Sequence, residues 1–139
     1  IGQLVDSCPE ELWNEKTAGF VYWQQLLHAL SGTHYWFRLN DEPFTEPFTE
    51  RKLYPELDGE PETLLSRKEL ADYAQRVRFL VDAYFAARDD AWLQEKAIVC
   101  DKLNNADVIG MQIRHLMYHA GHCESILREK KYPVLAWED

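Results

Sequence analysis

The stretch "RHLMYHAGHCES", Arg114 to Ser125, carries three of the chain's five histidines and one of its three cysteines. On a helix, at about 100° per residue, His119 falls about 40° from His115, His122 about 20° to the other side, and Cys123 about 80° away. Val108, Met111 and Ile126 lie within about 40° of His115, so the imidazoles share the face that apolar residues mark as inward. Burying an imidazole without a partner costs on the order of 1–3 kcal/mol. Three in successive turns multiply that cost, and a metal ion relieves it by taking one ring nitrogen from each ligand.

Histidines at i and i+4 can converge on one ion, the physics behind HExxH zinc helices. Between His115 and His119 stand Leu, Met and Tyr, so the Glu of that motif is missing and the metalloprotease form fails. A third ligand has to come from another helix. His28 and His34, both upstream on one helical segment, offer themselves, and spacing alone does not choose between them. The competing reading is a bundle whose inward histidines are satisfied by backbone and by the hydroxyls of Tyr22, Tyr35 and Tyr118.

The elements that position these residues read as helices. Over Thr17–Arg38, Phe20, Trp23, Leu27 and His34 form one stripe with Leu30 beside it. Val21, Gln24, His28 and Tyr35 form a second stripe about 100° round. A helix apolar over so wide an arc is buried on two sides. Ser66 and Glu69 make a capping box opening a helix to about Asp90, striped by Leu70, Tyr73, Val77, Leu80, Val81 and Tyr84. The last helix is expected to start with Asp107 as N-cap and run to about Lys131, ahead of Pro133. Ile1, Leu4, Val5 and Cys8 have helical spacing until Pro9 interrupts them. Residues 91–103, anchored by Trp92, read as an irregular or extended link.

Asn40 to Leu65 contains four of the six prolines and the tandem "EPFTEPFTE". A loop this long inside a domain is usually functional or covering, and Phe44, Phe48, Leu53 and Tyr54 could lay it over one end of the helices. The expected fold is all-α: a four-helix bundle with a long proline-rich loop between helices 2 and 3, one domain over 1–139.

Composition narrows the function. At 139 residues and 46% hydrophobic, the chain can bury a core without staples. Its net charge of −9, from 24 acidic against 15 basic residues, repels phosphate backbones, so no nucleic-acid partner is expected. Three widely separated cysteines without a CxxC point to a reducing compartment, and the cytoplasm is the expected location. No apolar run approaches the roughly 20 residues a membrane span needs, and no signal peptide leads the chain. The start at Ile1 rather than Met suggests a fragment.

"LLHALSGTHYWF" and "IRHLMYHAGHCESILRE" resemble the DinB/YfiT-like superfamily of helical-bundle proteins, the damage-inducible family distinct from the DNA polymerase of that name. In that family a metal-binding His on the second helix is followed by a Trp about two turns later, as His28 is by Trp36. Its last helix carries two His four apart, a Gly two residues on, and an apolar run ending in Leu-Arg. His115, His119, Gly121 and Ile126-Leu127-Arg128 match in register. The resemblance therefore implies His28, His115 and His119 as the metal ligands and favours His28 over His34, which then reads as a satisfied core histidine. His122 and Cys123 replace the Gln and apolar residue usual after that Gly, which leaves His122 as a neighbour or rival ligand. Cys123 reads as a buried inert thiol. The first helix is short beside the family's, which implies that part of it is missing from this chain.

What the resemblance implies for function is a divalent metal, zinc or nickel, on three histidines with a position open to water. Some members act as S-transferases or isomerases with low-molecular-weight thiols such as bacillithiol or mycothiol, on a small-molecule substrate, and many pair as homodimers. A His₃ site with open coordination is of the catalytic type. Its ion lowers the pKa of a bound water or thiol. The alternative is a non-catalytic, stress-associated bundle whose metal is structural or incidental.

Overall fold

A computed structural model describes residues 1–17, 19–40, 43–86 and 88–136. Ala18, Asp41, Glu42, Ala87 and residues 137–139, which the single-domain reading over 1–139 includes, lie outside the described residues. The fold is predominantly α-helical: α1 (Gly2–Ser7), α2 (Glu10–Trp13), α3 (Tyr22–Trp36), α4 (Arg67–Phe85) and α5 (Asn105–Glu129). Two two-residue strands, β1 (Lys16–Thr17) and β2 (Phe20–Val21), pair antiparallel with Lys16 opposite Val21.

That small hairpin corrects the expected start of the second long helix at Thr17. Gly19 turns the chain with a φ of 96°, a left-handed conformation that glycine adopts without a Cβ clash. Phe20 and Val21 are then extended, and the helix begins at Tyr22. From there the two-sided burial read from the sequence holds: Tyr22 through Leu27, Ala29, Leu30, Ser31 and Thr33 are all buried. The reason is position, since α3 packs against α4 on one side and α5 on the other, while α1 packs on α4. The main core joins Leu4, Val5, Leu12 and Trp13 to Trp23, Leu26, Leu27, Leu70, Tyr73 and Leu127.

The capping box at Ser66 and Glu69 is present, and α4 buries Leu70, Tyr73, Val77 and Tyr84. The helix stops at Phe85, short of the expected Asp90. Asp89 instead accepts the backbone N–H of Trp92 at 3.0 Å and opens a 3₁₀ turn over Ala91–Gln94. Residues 95–104 form an irregular link of bends and turns, closed by an antiparallel bridge between Lys96 and Asn104.

α5 begins three residues earlier than expected, because the N-cap is Asn104 and Asp107 is its N3 partner. Asn104 Oδ1 accepts from the Asp107 N–H at 2.8 Å, and the Asp107 carboxylate accepts from the Asn104 N–H at 3.0 Å. Asp107 therefore completes a capping box rather than starting the helix. Buried Asn105 ties this end down, its Nδ2 donating to the carbonyls of Trp92 at 2.9 Å and Glu95 at 3.2 Å. Lys131, with a φ of 63°, ends the helical path two residues before Pro133.

Between α3 and α4 the described residues contain no α-helix, only a 3₁₀ turn at Thr49–Arg51. The segment is nonetheless fixed. Leu53 and Leu65 are buried, Trp13 Nε1 donates to the Leu65 carbonyl at 2.7 Å, and buried Gln24 donates to the carbonyls of Tyr54 at 3.0 Å and Gly59 at 2.9 Å. One polar side chain of α3 thus holds the covering loop from beneath.

Replacing Asn104 with Ala removes the cap and is expected to cost about 1 kcal/mol, read as a lower midpoint in chemical denaturation. An unchanged midpoint would show that α5 does not depend on this cap.

Candidate metal centre

The packing of α3 on α5 brings His28 to His115 and His119. One ring nitrogen of each lies within 4.8 Å of the others. Ring centroids are 5.0 Å apart for His28 and His115, 4.6 Å for His28 and His119, and 4.7 Å for His115 and His119. Among the described residues this is the group of three His, Cys, Asp or Glu side chains close enough to share an ion. It contains the three histidines that the resemblance implied.

Hydrogen bonds behind the rings set their protonation. His28 Nδ1 lies 2.7 Å from the Pro55 carbonyl oxygen. His119 Nδ1 lies 2.9 Å from Gln25 Oε1. A carbonyl oxygen only accepts, so both Nδ1 atoms carry a proton, and in the neutral ring that leaves the lone pair on Nε2. Partners of this kind fix the tautomer and orientation of metal-ligating histidines. Burial pushes the His119 imidazole down to about 4, with the neighbouring His28, His115 and His122 adding to the shift. Burial, then His28, also lowers His115. Both rings are neutral near pH 7, the form that binds metals.

The donor set fits a divalent ion. Three neutral nitrogens converge, two of them locked with Nε2 available, and imidazole donors suit zinc, nickel and copper alike. His119, 5% exposed, forms the back of the cluster. His28 and His115 open onto a cavity of about 640 Å³ walled by Tyr35, Trp36, Phe44, Met111 and Tyr118, with Arg114, Glu46 and Glu56 also lining it. Trp36, paired with His28 in the resemblance, stands in this wall.

The other sequence candidates fall outside the cluster. His34 faces α4, its Nδ1 3.0 Å from the Tyr73 hydroxyl and its ring 5.2 Å from that of Phe44. It is the satisfied core histidine expected. His122 is half-buried one turn beyond His119 and supplies none of the three converging nitrogens. Cys123 is fully buried, and burial pushes its thiol up to about 12, so it stays protonated and inert. Cys8 is buried as well, while Cys100, within the link before α5, is only half-buried.

Sequence reasoning missed Gln25, Pro55 and Gly32. Gln25 carries a signal: it is a polar residue inside a helix apolar on two sides. Gly32 carries another, as a glycine in mid-helix one turn after His28. A Cβ there would lie 2.7 Å from His115 Cε1, so the missing side chain is the space that the His115 ring occupies. Nothing in the sequence points to Pro55, whose contribution is a backbone carbonyl from a loop.

Gly32→Ala therefore pushes the His115 ring aside while improving helix propensity by about 1 kcal/mol. Thermal stability without metal is expected to hold or rise, and metal affinity to fall; unchanged affinity would mean that the ring has other room. Depressed histidines also set a pH dependence. Unfolded His119 takes a proton near 6.5, whereas the folded residue resists until about 4. Its stabilising contribution is present above about 6.5 and is lost as pH falls towards 4. Denaturation of metal-free protein at pH 7 and pH 5 should show this loss, and His119→Leu should reduce it. Equal slopes in the two proteins would contradict the assignment.

In comparisons with known proteins, the family model described as the DinB superfamily matches residues 2–123, a span that includes all three histidines. No curated protein and no solved structure matches the chain. With the model covering most of the chain, and the His cluster where the helices cross, this protein belongs to the DinB superfamily.

Proposed function

We propose that this protein is a divalent-metal-dependent enzyme, a thiol S-transferase of the DinB-like kind, acting in the cytoplasm on a small electrophile. One observation carries the reading: two carbonyl acceptors, Pro55 O and Gln25 Oε1, hold the Nδ1 protons of His28 and His119. That leaves their Nε2 lone pairs beside His115, at the floor of a cavity. Structural metal sites close all four positions with protein ligands, whereas a three-histidine site leaves one for an exogenous group. Zinc or nickel bound there would supply Lewis acidity, lowering the pKa of a thiol or water.

The chain's own residues have three tasks in this reading. The histidines hold the ion and contribute no charge, so an anionic fourth ligand such as a thiolate is favoured. The aromatic wall of Tyr35, Trp36, Phe44 and Tyr118 takes the apolar part of the electrophile and keeps water from it. Arg114 in the same cavity offers a cation to an acidic group of the thiol cofactor. Cys123, whose thiol burial keeps protonated behind the site, does not serve as the nucleophile. In the same reading α1, α3, α4 and α5 are the helices of the family's four-helix bundle, which pairs as a homodimer.

Purified protein is expected to carry about one zinc or nickel per chain, lost in each of His28→Ala, His115→Ala and His119→Ala, as measured by metal analysis. Loaded protein should conjugate a model electrophile with at least one low-molecular-weight thiol faster than the metal-free form. Absence of a stoichiometric ion after expression in supplemented medium would contradict metal dependence. An ion without turnover across the thiols tried would favour a non-catalytic bundle.

A further inference from the structure

The cavity above the histidines holds more charge than metal binding uses. Glu46 and Glu56, both on the covering loop, line it together with Arg114 of α5. Among the described residues neither carboxylate forms an ion pair or a side-chain hydrogen bond. Neither belongs to the group of side chains close enough to share an ion, so metal ligation does not account for them. Burial, then Glu56 and Asp58, raises the Glu46 carboxyl above its ordinary range. Like charges crowded at one wall oppose each other until a cation joins them. A further acceptor stands in the same cavity: Gln112 is 2% exposed and lines it, and its Oε1 has no hydrogen-bond partner. Buried polar atoms are nearly always paired, and a ligand with N–H donors supplies what the fold does not.

The apolar wall suits the same ligand. Tyr35 meets Trp36 at 5.3 Å between ring centroids and 83°, and Phe44 at 5.4 Å and 88°. Rings set edge to face turn their π faces in different directions, and such faces attract cations. One face of Tyr35 already carries the Arg38 guanidinium, 4.4 Å from the ring centroid. The tandem "EPFTEPFTE" divides here. Phe44 and Glu46 line the cavity, whereas Phe48 packs on Tyr73 of α4 with ring centroids 5.9 Å apart. An aromatic ring and a carboxylate two residues apart thus face one space.

We propose that Glu46 and Glu56 are specificity-determining residues, selecting an electrophile that bears an ammonium group on an apolar body. The ammonium donates to the acceptors, while the apolar body lies against Tyr35, Trp36 and Phe44. A few polar groups in a mostly apolar pocket orient a ligand in this way. Arg114, on α5, is left for the acidic group of the thiol. The inference rests on the proposed reading of this cavity as the electrophile's site, but ammonium binding itself requires no ion.

The test titrates the intact, metal-free chain near neutral pH with 2-phenylethylammonium and with 2-phenylethanol, by calorimetry. Wild type should bind the ammonium about tenfold more tightly than the alcohol. Glu46→Gln combined with Glu56→Gln keeps side-chain volume and should bring the two probes within about twofold of each other. Equal affinities in wild type, no binding of either probe, or a preference that survives the double substitution would overturn the assignment. A preference for cysteamine over 2-mercaptoethanol that needs the two acids, with none between the phenylethyl probes, would place the cation on the thiol and overturn it as well. Zinc uptake is measured separately. A chain that takes up no zinc yet prefers the ammonium would overturn the metal reading while upholding the selectivity of the cavity. The comparison of probes in wild type needs no variant, so a misfolded variant does not blunt the test.

Discussion

The chemistry of this site depends on where two protons sit. If His28 and His119 carried theirs on Nε2, two N–H groups would point into the cluster where an ion needs lone pairs. The Pro55 carbonyl at 2.7 Å and the Gln25 amide oxygen at 2.9 Å prevent that. They come from different parts of the fold, one from the covering loop and one from α3 itself. Holding them requires most of the structure. Gln24, the neighbour of Gln25, secures the loop that carries Pro55 through the carbonyls of Tyr54 and Gly59. Adjacent glutamines on α3 therefore do related work, one on a ligand and one on the loop that holds another ligand.

The close approach of α3 and α5 is the second requirement. Gly32 makes room for the His115 ring, and the hairpin at Gly19 sets where α3 begins. At the far end of α5, the Asn104 and Asp107 box and the bonds of Asn105 to the preceding link fix its start. The neutral histidines follow from the same packing, since burial rather than any ion pair is the main cause of their depressed basicity. Burial that makes them poor bases leaves them available as neutral metal ligands.

Much of this was legible in the sequence, and the illegible part has a physical pattern. Periodicity located the three long helices, and capping chemistry placed the start of α4. Asp107 reads as an N-cap by residue type, whereas the structure makes it the N3 partner of Asn104, three residues before it. The His pair on α5 was readable from angle alone, since i and i+4 fix it. The third histidine was not, because His28 and His34 sit on neighbouring stripes and the choice depends on which neighbour each stripe faces. The structure turns His34 to Tyr73 of α4 and His28 to α5. Family register made the same choice. Partners supplied by backbone, as at Pro55, leave no trace in residue identity.

The central claim is that His28, His115 and His119 bind one divalent ion through Nε2, with a position left open. X-ray absorption at the zinc edge of loaded protein tests it most directly. Three imidazole nitrogens at about 2.0–2.1 Å with one further light ligand, and no sulfur, are expected. Sulfur at about 2.3 Å, or fewer than three imidazoles in the first shell, would contradict it.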